Sequence, residues 1–176
     1  WSSSPDRGLL ELLQYWSLIK KELPNALLHI YYGWDYFDHT LYIPEQRQLK
    51  EKLITLLQQP DIHWEGRIGQ DKLYQEFAKS HIWFYPLHYS DWNKDPGGFR
   101  ETFCISALEA QANGCLCVAR SSGALGETVH NRGILIPRDA GDGELDYLFN
   151  LIYDKDRQEQ LRILGQEWAQ RQTWAS

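Results

Sequence analysis

The sequence predicts an α/β fold in which a parallel sheet carries helices on both faces. Three observations support this. Short apolar runs alternate with amphipathic segments along the chain, about six of the runs have strand length, and no repeat, low-complexity tract or linker interrupts them. Trp1-Ser2-Ser3 reads as the tail of a strand, and Ser4-Pro5-Asp6 as a turn. Leu9, Leu12, Leu13, Trp16 and Ile19 then recur at three- and four-residue spacing, which is one buried helix face. Pro24 and Asn25 stop that helix, and residues 26–32 form a continuous apolar strand closed by Gly33.

A second helix is expected over 44–58, with Pro44 in its first turn and Leu49, Leu53, Leu56 and Leu57 as its apolar stripe. Asp61 to Glu65 is a short strand, 66–69 a turn and 71–79 a helix. The strand Ile82-Trp83-Phe84-Tyr85 leads into a polar loop over 88–100 and a helix over 101–112, closed by Asn113-Gly114. Residues 115–119 form the next strand, followed by a short helix over 125–130, a strand over 133–136 and two C-terminal helices. The result is a single Rossmann-like three-layer αβα domain spanning 1–176, which places its ligand at the carboxyl ends of the strands.

Composition narrows the function classes. With 176 residues, 43% hydrophobic and 24% charged, the chain can bury a sizeable core without staples. A net charge of −6 argues against a nucleic-acid binder, which needs a basic face. The odd count of three cysteines, with no secretory signal, points to reduced thiols and a cytoplasmic setting. No apolar run approaches the roughly 18 residues of a membrane span. Aromatic residues reach 14%, which permits stacking on sugars or bases without naming a ligand.

The strongest chemical constellation is Glu101-Thr-Phe-Cys-Ile-Ser-Ala-Leu-Glu109, two carboxylates separated by seven residues. On one helix, eight residues of rise set them about 12 Å apart, able to touch two ends of an elongated ligand. The plainer alternative is a first-turn Glu favoured by the helix dipole and an ordinary surface Glu. Context favours a pocket. Gly97-Gly98-Phe99-Arg100 precedes the pair, and the small residues Ala110, Ala112 and Gly114 follow it. Cys115 and Cys117 read as core thiols, because no second Cys or His pair at metal spacing accompanies them. His63, His81 and His88 lie near strand ends and read mainly as structural. Asp35 and Asp38 lack Asp-x-Asp spacing and read as a polar loop. Neither a Gly-x-Gly-x-x-Gly fingerprint nor a nucleophile elbow is present.

Four segments in order resemble the C-terminal, donor-binding lobe of a retaining GT-B glycosyltransferase of family 4, also called group 1. They are Ser3 to Leu9, His63 to Ile68 with Leu73-Tyr74, Glu101 to Glu109 with Ala110 and Gly114, and Ser122 to Glu127. The resemblance implies the C-terminal half of a GT-B fold and a donor that is a UDP- or GDP-sugar, with neither cofactor nor metal. By position, Arg7 would contact the diphosphate where the family usually has Lys, and Gly8 would open the helix beneath it. Arg67 and Ile68 would meet the nucleobase through backbone groups, and Glu109 would accept from the ribose hydroxyls. Glu101 would face the donor sugar, with the backbone of Thr102 and Phe103 nearby.

One departure is Ser2, which stands where the family often has a second basic residue, leaving Arg100 or Lys94 to supply charge. The 88–98 loop reads equally as a donor lid or a solvated insertion. The resemblance also implies that the N-terminal acceptor lobe is missing and that the acceptor is a glycan, lipid or small molecule. Any membrane association would then be peripheral and pass through the missing lobe. This fragment is accordingly expected to bind nucleotide without turnover. Two rivals remain open: a nucleotide-sugar epimerase on the same sheet, and a non-catalytic binding or interaction lobe.

Overall fold

A computed structural model describes residues 1–87 and 101–172. The chain divides into two compact units, Trp1–Gly69 and Gln70–Ser176. The expectations for 88–100, including the lid, Lys94, Arg100 and the glycines before Glu101, fall outside the described residues, as does the C-terminus from 173.

In the first unit, α1 (Leu9–Glu22) buries the predicted stripe of Leu9, Leu12, Leu13, Trp16 and Ile19. Each such side chain contributes roughly 1.5–3 kcal/mol when removed from water, as an upper bound. The stripe packs on α3 (Pro44–Leu56), whose fully buried residue is Leu53. The Trp16 indole N–H donates to the Pro60 carbonyl at 2.8 Å, tying α1 to the end of that connection. Two short strands, β1 (Leu28–Ile30) and β2 (Ile62–Trp64), pair in parallel with His29 opposite His63. The Trp1 amine donates to the His29 carbonyl at 2.8 Å, and the Tyr31 N–H donates to the Trp1 carbonyl at 2.8 Å. That is the hydrogen-bonding pattern of a parallel neighbour, so the expected strand tail exists as a one-residue bridge.

A correction falls at Asp35 and Asp38, expected in a polar loop. Residues Asp35–Asp38 form a helical turn, α2. Burial of Phe37, 3% exposed, drives it, with Trp34 edge-on to Phe37 and stacked at 4.6 Å on Trp64.

In the second unit, α4 (Gln70–Lys79) precedes three parallel strands in the order β3 (Ile82–Tyr85), β4 (Leu116–Arg120) and β5 (Ile134–Ile136). β4 is central and wholly buried, an apolar run over 116–119 that ends in the buried Arg120. α5 (Ile105–Ala112) packs against the long α8 (Lys155–Gln170), where Gly165 gives room to Gln111. Short α6 (Leu125–Thr128) follows β4, and α7 (Glu144–Tyr153) packs on β5. Among the described residues the strands therefore number five rather than about six, in a two-stranded and a three-stranded sheet.

The helix expected over 101–112 starts at Ile105 instead. Cys104 adopts φ 63°, a left-handed conformation that cannot continue a right-handed helix. Glu101 thus precedes the helix, and the 12 Å helical rise between the two carboxylates does not apply.

Candidate functional site

Within the first unit, three connections leave the same ends of parallel strands. After the Trp1 bridge the chain turns, with the Arg7 N–H donating to the Ser4 carbonyl at 3.0 Å. Gly8, at φ 92°, takes a left-handed conformation that a Cβ would strain, and it caps α1. The first i to i−4 bond of α1 runs from Leu12 to Gly8 at 3.2 Å, so the first-turn N–H groups lie ahead of it. Half-buried Arg7 stands beside this helix start, and a cation and helix N–H groups together suit a phosphate.

After β2, the guanidinium of Arg67 sits 4.7 Å over the ring of exposed Tyr36. The hydrogen bond with Tyr36, foremost, raises the Arg67 pKa further above its ordinary value. Gly33, after β1, lies beside Arg67: a Cβ there would be in ordinary contact, 3.4 Å from the Arg67 Cβ. Ile68 follows, half-buried.

Within the second unit, Glu101 is a buried carboxylate between β3 and α5, 9% exposed. Its Oε1 accepts from the Cys104 N–H at 3.0 Å, and Tyr85 Oη lies 3.4 Å from Oε2. The loop after β4 rests on its main chain. The Ala124 N–H donates to the Glu101 carbonyl at 2.8 Å, and a Cβ on Gly123 would come within 2.2 Å of that oxygen. Thr102 is exposed and Phe103 half-buried in the bend that follows. The left-handed Cys104 turns the chain there, and backbone strain of this kind concentrates at ligand-handling loops.

Glu109 lies on α5, half-buried, and accepts from the Gln70 side-chain amide and, at 3.3 Å, from the Tyr74 hydroxyl. Desolvation raises its pKa above the usual carboxylate range, while the Tyr74 and Gln70 hydrogen bonds partly counter that. Both donors are neutral, so the carboxylate is presented to hydroxyl and amide groups in a partly dry setting.

The structure therefore joins Glu101, Thr102 and Phe103 to the loop after β4 and gives Glu109 a separate pair of partners. It sets Arg7 and Gly8 at a helix start, and Arg67 and Ile68 after β2. Sequence reasoning missed the Tyr36–Arg67 stack, the strained Cys104, the Tyr85 contact and the seating of 123–124 on Glu101. Only Gly123 carried a readable signal, a glycine in the short loop between a strand and the next helix. The thiols behave as core. Burial pushes Cys115 up to about 12 and Cys117 well above its ordinary value. His63 stacks on His29 at 4.8 Å, and His29 Nδ1 lies 3.0 Å from Glu65. Among the described residues no group of three His, Cys, Asp or Glu side chains is placed to hold a metal ion. No helix among them is long and apolar enough to cross a membrane.

Parallel strands alternating with helices, and a first helix capped by a left-handed glycine, match the C-terminal, Rossmann-like domains of GT-B glycosyltransferases. The family pattern "Glycosyl transferases group 1" matches residues 3–168, and the chain belongs to that family. Solved structures with this fold include sucrose-phosphate synthase (tll1590) from Thermosynechococcus elongatus, at 19% identity and TM-score 0.70, covering 96% of this chain and 38% of that one. The C-terminal domain of the group 1 family protein LpcC from Francisella tularensis matches at 18% identity and TM-score 0.66, covering 97% of this chain and 82% of that domain. Anabaena Alr3699/HepE, solved with UDP-glucose, matches at 17% identity and TM-score 0.71, covering 97% and 42%. No curated protein matches the chain.

Proposed function

We propose that this chain is the donor-binding lobe of a retaining, metal-independent glycosyltransferase of the hexosyltransferase type. The full enzyme moves a glycosyl unit from a UDP- or GDP-sugar to an acceptor hydroxyl on a glycan, lipid or small molecule. Family membership over 3–168 supports glycosyl transfer, and the UDP-glucose bound in HepE supports a nucleotide-sugar donor. The observation that carries the reading is Glu109, a half-desolvated carboxylate already accepting from a hydroxyl and an amide. Two ribose hydroxyls make the same demand on it, and charge-assisted hydrogen bonds of this kind are the strong ones.

Arg7 and the start of α1 take the diphosphate and stabilise charge on the leaving group. The backbone at Arg67 and Ile68 takes the base. Glu101 with the backbone of Thr102 and Phe103 takes the donor sugar. The acceptor and part of the catalytic apparatus belong to a second lobe, so this chain alone binds nucleotide without turnover. Calorimetric titration of Glu109→Ala with UDP and GDP tests the reading. Hydrogen bonds to a charged group are worth about 1.5–3 kcal/mol, so affinity is expected to fall roughly 10- to 100-fold. Unchanged affinity removes the ribose role.

A further inference from the structure

We infer that a buried clamp of Arg120, Glu144 and Arg138 positions Glu101 by fixing the loop that seats its main chain, so that Arg120 is a positioning residue for the donor-sugar end of the site. The inference rests on the donor-lobe reading above. Arg120 ends the central strand β4 and is 5% exposed, while Glu144 opens α7 and is 1% exposed. The Arg120 guanidinium meets both oxygens of Glu144, Nε at 3.3 Å from Oε1 and Nη2 against Oε2. Nη1 donates to the Arg138 carbonyl at 2.8 Å, and Arg138 Nε donates back to the Ser121 carbonyl at 3.2 Å. The Ser121 N–H closes the ring on the Ile136 carbonyl at 2.8 Å.

The end of β4 is thus fastened to the β5–α7 connection immediately before the loop that carries Gly123 and Ala124. Those two residues sit against the Glu101 main chain, where the φ 48° of Gly123 and the absence of its Cβ permit the approach. A buried ion pair is weak evidence for stability, since an apolar pair of similar volume often folds as well or better. What such a pair adds is one defined arrangement, here the end of β4 interlocked with the β5–α7 connection through Arg120, Ser121, Arg138 and Glu144.

The test compares the chain with the double variant Arg120→Met/Glu144→Leu, which leaves no uncompensated charge, and with Arg120→Lys. Hydrogen exchange is followed at the Ala124 and Cys104 N–H groups, both bonded to Glu101. Affinity is measured for UDP, GDP and the corresponding glucose nucleotides. The expected result for the double variant is a retained melting temperature, exchange at both amides faster by about tenfold or more, and a larger loss of affinity for the nucleotide-sugar than for the nucleotide. Arg120→Lys keeps the charge without the fork, and is expected to fall between. Unchanged exchange at Ala124 in the double variant overturns the clamp. Equal losses for nucleotide and nucleotide-sugar overturn its link to Glu101. If the unsubstituted chain binds no nucleotide, the donor reading fails and the functional half of this inference fails with it, while exchange still decides the clamp.

Discussion

At Glu109, folding takes a carboxylate half out of water, which raises its pKa, while the hydrogen bonds from the neutral donors Tyr74 and Gln70 partly counter the rise. The sign of the consequence is fixed. The folded chain holds a proton there more readily than the unfolded chain, so the stability linked to that proton is present at low pH. It is lost as pH rises through the raised pKa. Ligand binding through the ionised form runs the other way. Nucleotide affinity is expected to fall on acidification at a higher pH than an ordinary glutamate would give, and Glu109→Gln should flatten that part of the profile. The same variant should leave the melting temperature equal or higher at neutral pH, because it removes a charge that burial disfavours. The cysteines give a second residue-scale prediction. With Cys115 at about 12 and Cys117 higher still, native thiol alkylation at pH 8 should leave both unmodified, and labelling should appear only on unfolding.

The loop between β4 and α6 is the element on which the Glu101 side of the site depends. Gly123 has φ 48° and would place a Cβ 2.2 Å from the Glu101 carbonyl, a backbone atom with no flexible end to swing away. Gly123→Ala is therefore expected to destabilise by about 2–4 kcal/mol, from overpacking and left-handed strain together. Three residues on, a Cβ at Gly126 would meet nothing within 4 Å. Gly126→Ala, within α6, should be neutral or stabilise by up to about 1 kcal/mol through the unfolded chain. Chemical denaturation of the two variants checks the contrast. Equal effects would show that the loop is not seated on Glu101. The start of α5 belongs to the same scale. The sequence places this helix over 101–112, but the Glu101 carboxylate takes the Cys104 N–H and Cys104 turns left-handed, so the helix begins four residues later.

For the whole molecule, the donor reading makes a prediction about ligand class. Diphosphate recognition by Arg7 and a helix start needs no bridging cation, so calorimetric binding of UDP or GDP should be unchanged by magnesium, and NAD should give no saturable heat. Binding that required magnesium would exclude a metal-independent cradle. Preference between UDP and GDP would name the base. Silence for both nucleotides would move the reading to a non-catalytic lobe. The chain spans 38% of sucrose-phosphate synthase and 42% of HepE, and turnover is expected only when an acceptor lobe is supplied.

The alternation of apolar runs and amphipathic segments was enough to determine the α/β class, because burial of one helix stripe and of whole strands is written in residue spacing. Leu9 to Ile19 and β4 are the clearest cases. The order of segments around Gly8, Arg67, Glu101 and Glu109 was likewise enough to point to the family. Tertiary structure alone decided that Glu101 leaves the helix, that Phe37 folds Asp35–Asp38 into a turn, and that Arg67 lies on Tyr36. It also decided that Arg120 pairs with Glu144, 24 positions away. Each of these depends on contacts between residues that are distant in the chain or on a single left-handed residue, and neither leaves a periodic trace in sequence.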